Sequence, residues 1–283
     1  MSQFSAIEWT DATWNCVVGC TKVSTGCANC YPILDALRMG ANPNPKISAV
    51  YSGLAFKQDN GLPNWTGVVR CLPDRLAIPF TWPAAKRIFV NSQSDLFHEH
   101  VPLDFIRRVF AVMTATPWHT YQILTKRAER LEELARELTW PVNAWMGVSV
   151  ENQDTVWRVE HLRRVPAAVR FLSVEPMLGP VDLDLAGIHW VITGGESGPR
   201  SRPFDPTWAT AVRDQCQAAA VRFFHKQHGG RNKKATGRLL DGRTYDEMPP
   251  VSSAPVPTAK ERRATAARLV PEADTRVSLE TLS

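Results

Sequence analysis

Short apolar runs recur from about residue 86 onward, and each ends in a cluster of polar residues. Most are followed by a stretch with helical periodicity. This pattern predicts strands at 87–95, 121–127, 144–152, 170–176, 189–197 and 221–227. It predicts helices at 102–113, 127–138, 155–165 and 206–220. A strand followed by a helix, repeated along the chain, is typical of a parallel sheet.

The apolar strands are continuous rather than alternating, which indicates burial on both faces of the sheet. Right-handed crossovers between such strands curl the sheet toward a barrel. The sequence therefore predicts an α/β fold, a partial or full parallel (β/α) TIM-like barrel over residues 1–250. The connection at 177–188 is too rich in proline and glycine to hold a full helix.

The two ends of the chain are less regular. A first strand is predicted at 13–18, a short helix at 32–39 and a short second strand at 67–72. Residues 40–66 are turn-rich and predict an insertion loop. Residues 251–283 are rich in proline, alanine, serine and arginine, and they predict a disordered tail.

Composition narrows the class of protein. The 283 residues are 44% hydrophobic and 22% charged, which is ordinary globular usage and excludes a wholly disordered or fibrous chain. The first residues lack an export signal, and no run approaches the roughly 18 apolar residues of a membrane span, so a cytoplasmic location without membrane attachment is expected. A net charge of +5 permits a polyanionic partner but does not identify one.

Four of the six cysteines are Cys16, Cys20, Cys27 and Cys30, all near the N-terminus. Because cytosolic thiols are kept reduced, metal ligation is the leading interpretation. Cys20, Cys27 and Cys30 would bind three irons of a cubane cluster and leave the fourth iron open. All four cysteines together would instead suit a structural zinc ion, and the pattern alone leaves both open.

Polar residues at the ends of parallel strands should meet at one rim of the barrel. We expect this rim to orient a cofactor and a substrate, and its candidates are Ser92, Ser94, Asp95, Lys126, Glu151, Glu175, Glu196 and Lys226. A basic segment follows the last strand. Its candidates for binding nucleic-acid phosphates are Arg231, Lys233, Lys234 and Arg238.

Several segments together resemble one family. They are IEWTDATWN, GCTKVSTGCANCY, RIFVNSQSDLFHE, LTKR, GVSVEN, SVEPMLGP, GGESG and LDGRTYDEMP, between residue 7 and about residue 250. They resemble a phage-associated and bacterial three-cysteine protein family, grouped near the radical SAM superfamily and spore photoproduct lyase. Six residues separate Cys20 from Cys27 here, whereas three residues are common between the first two cluster cysteines in the superfamily.

The resemblance implies a barrel with an N-terminal cluster loop at residues 16–31, a [4Fe–4S] cluster on Cys20, Cys27 and Cys30, and S-adenosylmethionine (SAM) at the open iron. It implies an enzyme that takes one electron from a reductant and generates a 5′-deoxyadenosyl radical. A nucleic-acid base or nucleotide is the expected substrate.

Site roles follow from the same resemblance. The cofactor candidates are Tyr31 after the last cysteine, Ser92, Ser94 and Asp95 for the SAM ammonium, and Glu151 for the ribose hydroxyls. The catalytic candidates are Asp95, Lys126, Glu151, Glu175, Glu196 and Lys226. The Gly-Gly-Glu run at 194–196 ends a late strand rather than the second, so the superfamily's role for such a run is not carried over.

Two other functions stay open at this point. One is a nucleic-acid-binding or nuclease-like protein stapled by zinc at a structural four-cysteine site. The other is a non-catalytic partner protein.

Overall fold

The computed structural model describes Ser5 and residues 7–270, without the side chain of Lys234. Its centre is a seven-stranded, wholly parallel sheet. In their order across the sheet, the strands are β1 (Ala12–Trp14), β6 (Arg87–Val90), β7 (Thr120–Thr125), β8 (Ala144–Ser149), β9 (Val169–Val174), β10 (Trp190–Gly194) and β11 (Arg222–Gln227). The fold is therefore α/β, as predicted.

Two small antiparallel pairs lie beside the main sheet. They are β2 (Val17–Val18) with β5 (Arg70–Cys71), and β3 (Ala55–Lys57) with β4 (Pro63–Trp65). The helices are α1 (Tyr31–Gly40), α2 (Pro45–Tyr51), α3 (Ile78–Thr81), α4 (Leu103–Ala115), α5 (Ala128–Ala135), α6 (Arg158–Arg163), α7 (Pro206–Ala218), α8 (Lys233–Thr236) and α9 (Ala259–Leu269).

Alternate residues of each strand point to opposite faces of the sheet, and each face has its own core. On β8, Met146 and Val148 belong to the large core that includes residues of α4, α5, α6 and α7. Trp145 points the other way, into an aromatic cluster with Trp9, Phe171 and Trp190. Burial on both faces explains why the strands read as continuous apolar runs.

The aromatic cluster shows that the sheet is curled. The ring centroid of Trp9 lies 4.8 Å from that of Phe89 on β6 and 6.2 Å from that of Trp190 on β10. These strands are four positions apart in the sheet, which would separate them by roughly 19 Å if the sheet were flat. One tryptophan therefore bridges the concave face of a half-barrel, consistent with a partial TIM-like barrel.

The six strands predicted from residue 87 onward are confirmed, and the connection at 177–188 contains no helix. The helix predicted at 32–39 is confirmed as α1. The first predicted strand is divided into β1 and β2, because the chain leaves the main sheet after Trp14. The predicted second strand is reduced to β5, which pairs with β2 outside the main sheet.

Two segments that were predicted to be irregular contain regular elements. Residues 40–66 are not a plain loop, since they contain α2 and the β3–β4 hairpin. The predicted disordered tail at 251–283 contains α9, which packs against α3 and α4. Arg262 of α9 is buried and donates to the carbonyl of Phe80, so this part of the tail belongs to the core. Residues 271–283 lie outside the described residues.

No helix within the described part of the chain is both long enough and apolar enough to cross a membrane.

Candidate functional site

The cysteine loop, residues 16–31, lies across the carboxyl edge of the parallel sheet. Tyr31 donates through its hydroxyl to the carbonyl of Ser92, which follows β6, at 3.1 Å. Ser24 donates to Glu151, which follows β8, at 2.7 Å. Asn29 donates to Glu196, which follows β10, at 3.0 Å. The edge at which parallel α/β sheets bind ligands is therefore covered by this loop.

Cys20 and Cys27 lie close enough to Cys30 to act electrostatically on its thiol. Burial raises the pKa of Cys30 to about 12, and the thiols of Cys27 and Cys20 add to that effect. Burial also raises the pKa of Cys20 to about 12, with Asp95 acting in the same direction and Arg127 opposing it. Cys27 is buried at the end of a short 3₁₀ helix, Thr25–Cys27.

Cys16 packs in a different cluster from Cys20 and Cys30. It is fully buried in the core on the helix-bearing side of the sheet, and its Sγ lies 3.6 Å from Oδ1 of Asn91. Burial raises its pKa far above the usual range, and Cys71 is the next cause. Cys20 and Cys30 instead pack against a separate small cluster that contains Ile33 and Leu54.

Among the described residues, no group of three or more histidine, cysteine, aspartate or glutamate side chains is spaced to hold a single metal ion. Four thiolates around one zinc ion must converge at about 2.3 Å from the metal. An iron–sulfur cubane makes a different demand, because each thiolate binds its own iron.

Glu151 is a fully buried carboxylate directly beneath the cysteine loop. Lys126 forms a very short ion pair with its Oε1, and Arg158 lies 3.3 Å from the same oxygen. Burial alone would raise the pKa of Glu151, but Lys126 and Arg158 outweigh it and lower the pKa. Its other oxygen, Oε2, is buried without a hydrogen-bond partner among the described residues.

A second ion pair lies farther along the same edge. Lys226 at the end of β11 donates to Oε1 of Glu175, which follows β9, at 2.6 Å. The side chain of Lys226 is 15% exposed and that of Glu175 is 19% exposed, so both are partly accessible to solvent. Glu175 and Cys30 both act on the hydroxyl of Tyr31, which places this pair near the thiols.

Asp95 already has several partners within the protein. It is buried, and it accepts from Thr125 Oγ1 at 2.7 Å, from Phe97 N at 2.9 Å and from Arg127 Nη1 at 3.0 Å. Both carboxylate oxygens are thus already occupied by protein donors. An ammonium group bound at Asp95 would have to displace one of these donors.

The two serines predicted to accompany Asp95 are also engaged within the protein. Ser92 donates to the side-chain oxygen of Asn15 at 3.1 Å, and Ser94 donates to the carbonyl of Val17 at 2.8 Å. These bonds join the end of β6 to the start of the cysteine loop. Each hydroxyl thus uses its donor within the protein, and the predicted contacts to the SAM ammonium stay a prediction.

Glu196 joins the loop after β10 to the cysteine loop. Arg202 donates to its carboxylate through Nη2 at 2.6 Å and through Nε at 3.0 Å. Arg202 also donates through Nη1 to the carbonyl of Thr25 at 3.0 Å. Burial would raise the pKa of Glu196, but the bonds from Arg202 and Asn29 lower it. Glu196 and Arg202 therefore help to hold the cysteine loop in place.

The four basic candidates after β11 differ in whether their side chains already bond within the protein. Lys233 pairs with Glu8 at 2.9 Å, and Arg238 pairs with Asp246 and donates to the carbonyl of His225. Arg231 is exposed. The side chain of Lys234 lies outside the described part of the chain. Two of the four predicted phosphate contacts are thus committed to bonds within the protein.

Several residues of this site were missed by the sequence patterns. Arg127 directly follows Lys126 in LTKR, so its place at a strand end was an available signal. Ser24 and Asn29 lie between the cysteines, where a loop residue has no periodicity to mark it. Arg158 and Arg202 lie on other segments, and only the folded chain brings them here.

Comparison with known proteins gives one match. A family model described as a protein of unknown function (DUF5131) matches residues 4–249. No curated protein and no solved structure matches the chain. Because the matched segment covers most of the chain, including the sheet and the cysteine loop, this protein belongs to the DUF5131 family.

Proposed function

We propose that the protein is an iron–sulfur enzyme of the radical SAM type. The observation that carries the proposal is that the loop carrying Cys20, Cys27 and Cys30 bonds across the carboxyl edge of a curled parallel sheet, with Cys20 and Cys27 near enough to act on the thiol of Cys30. This edge is where barrels of parallel strands carry their chemistry. Cys16 packs in the large core, whereas Cys20 and Cys30 pack against a separate small cluster, which supports three protein ligands rather than four.

The donor set fits a [4Fe–4S] cluster with one open iron. Three thiolates from one loop are soft ligands suited to iron–sulfur centres. Cationic groups offset their charge, since Lys126 acts on Cys30 and Arg127 lies 3.8 Å from the Cys20 sulfur. When bound, such a cluster would supply one electron to SAM at its open iron and so break the sulfonium C–S bond.

The ion pair of Lys226 with Glu175 is our candidate for orienting SAM. The amino-acid end of SAM carries an ammonium and a carboxylate, and this pair offers one group of opposite charge to each of them. Lys226 and Glu175 are partly exposed. Glu151 is fully buried and holds Ser24, so we assign it to support of the cysteine loop rather than to the ribose hydroxyls.

As substrate we propose a nucleotide or a nucleic-acid base. A pocket of about 420 Å³ lies between the loops after β10 and β11, and its lining includes Arg202, Phe204 and His228. Aromatic rings stack on bases, and cations attract phosphates. Arg231, on the loop that lines the pocket, is exposed and adds positive charge.

The enzyme proposal is tested by product analysis. Protein reconstituted without oxygen, reduced and mixed with SAM should release 5′-deoxyadenosine and methionine, whereas Cys27→Ala should release neither. Cys16→Ala is the matched control and should retain the activity. A cluster-loaded protein that neither binds nor cleaves SAM would contradict the proposal.

The substrate proposal has its own test. Binding of single-stranded DNA or RNA should weaken as salt rises, because neutralised phosphates release counterions. Arg231→Ala should lower affinity for all sequences alike and reduce the salt slope by about one unit, whereas the exposed Arg136→Ala should leave both unchanged. If the wild-type protein binds no nucleic acid or nucleotide even at low salt, the substrate is of another class.

A further inference from the structure

Arg127 is a buried arginine whose guanidinium lies against a cysteine sulfur. Its side chain is only 8% exposed, and Nη1 lies 3.8 Å from Sγ of Cys20 within hydrogen-bonding geometry. It is the second residue beyond β7, at the same edge of the sheet as the cysteine loop. A fixed positive charge therefore lies beside one of the three thiols.

Four further contacts hold this guanidinium in place. Nη1 donates to Asp95 at 3.0 Å, and Nε donates to Glu99 at 3.1 Å. Nη2 donates to the hydroxyl of Thr21 at 2.6 Å and to its carbonyl at 3.4 Å. Because arginine presents its donors in a rigid planar fork, satisfying these partners fixes the direction of the donor that faces Cys20.

The surrounding charges explain why the arginine is tolerated in a buried position. A buried cation is costly unless it is paired, and Arg127 is paired with the buried Asp95 and the half-exposed Glu99. Asp95 is itself held by Thr125 and by the backbone nitrogen of Phe97. The carboxylate of Asp95, which was predicted to bind a cofactor, thus holds the guanidinium of Arg127 in its orientation.

We propose that Arg127 is a positioning residue that donates a hydrogen bond to the Cys20 thiolate and raises the reduction potential of the cluster. This inference rests on the proposed function. Adding an electron makes the site more negative, so an adjacent fixed cation stabilises the reduced form more than the oxidised form. Hydrogen bonds to the sulfurs and net charge are established controls of such potentials.

The test is a redox titration of the reconstituted wild-type protein and of Arg127→Gln, in which electron paramagnetic resonance measures the fraction of reduced cluster at each potential. Removing the charge should shift the reduction equilibrium toward the oxidised form by about tenfold, which is 59 mV for a one-electron couple. Glu99→Gln removes a carboxylate from the same guanidinium and should shift the potential in the opposite direction. Arg136→Gln makes the same charge change at an exposed position and should leave it unaltered.

Each outcome decides between defined alternatives. If Arg127→Gln does not fold, Arg127→Lys carries the test, since lysine keeps the charge but loses the fork and should still lower the potential. A folded Arg127 variant with full iron content and the wild-type potential would overturn the inference. So would a folded variant that takes up no iron, which would assign Arg127 to cluster assembly. A wild-type protein without iron would instead contradict the proposed function.

Discussion

At the scale of single residues, Gly26 decides how closely the cysteine loop approaches the sheet. A Cβ built on Gly26 would lie 2.5 Å from Cγ and 2.6 Å from Oε1 of Glu151. Glu151 cannot move aside easily, because Lys126, Arg158 and Ser24 all hold its carboxylate. The glycine between the first two thiols of the proposed cluster is therefore required by contact with the sheet.

We expect Gly26→Ala to destabilise the protein by about 1–3 kcal/mol, the usual cost of forcing an extra group into a packed site. It should also lower the amount of iron bound after reconstitution, because the loop would be pushed off the sheet. Gly179→Ala is the control, since its Cβ would meet only Asn152, at 3.8 Å. Urea unfolding and iron analysis measure both effects, and a Gly26→Ala protein as stable as Gly179→Ala would contradict this account.

At the scale of elements, α9 is part of the body of the protein. It begins with a capping box, in which the Thr258 side chain accepts from the backbone nitrogen of Glu261 and the Glu261 side chain accepts from the backbone nitrogen of Thr258. Arg262 fastens it to the carbonyl of Phe80 at 3.0 Å. The segment before it is also attached, because Ser252 N donates to the hydroxyl of Thr120 at 3.0 Å, at the start of β7. α9 is therefore attached at the amino edge of the sheet, away from the thiols.

A chain that ends at Pro250 should consequently be less stable but still bind iron. Loss of α9 exposes the apolar surface of α3 and α4 and removes Arg262, which donates to the carbonyl of Phe80, so the urea midpoint should fall. Iron content per folded chain should stay at the wild-type level. A truncated protein that keeps its midpoint, or one that folds but loses its iron, would show that this division of roles is wrong.

The hydrophobic pattern predicted the strands of the main sheet well, because burial on both faces leaves long apolar runs such as that around Trp145. It failed at β3 and β4, whose three-residue strands are too short to show a period. It failed at α9 because composition suggested disorder, although the Thr258–Glu261 capping box was a readable signal. At the site, it found Asp95 but not its partners, since only the fold brings Arg127 to it.

At the scale of the whole molecule, His119 and His225, two of the three fully buried histidines in the described part of the chain, link stability to pH. Burial lowers the pKa of His119 to about 4 and that of His225 to about 3. In the unfolded chain both take up a proton near pH 6.5, whereas the folded protein leaves them neutral. Stability is therefore complete above pH 6.5 and is lost as pH falls toward the folded-state values.

We expect the free energy of unfolding to fall by up to about 1.4 kcal/mol per pH unit for each histidine below pH 6.5. The interval from pH 6.5 to 4.5 is the informative one, because lowered carboxylate pKa values such as that of Glu151 act mainly below it. Urea unfolding at several pH values measures the slope. His119→Gln should reduce that slope, and an unchanged slope would show that His119 is not the source.

The central claim is that three thiols above the carboxyl edge hold a four-iron cluster and that Cys16 takes no part. The most direct measurement is the iron and acid-labile sulfide content of wild type, Cys16→Ala and Cys27→Ala, reconstituted side by side without oxygen. We predict about four irons per chain for wild type and Cys16→Ala, and few or none for Cys27→Ala. Zinc in place of iron, or an equal loss of metal in both variants, would contradict the claim.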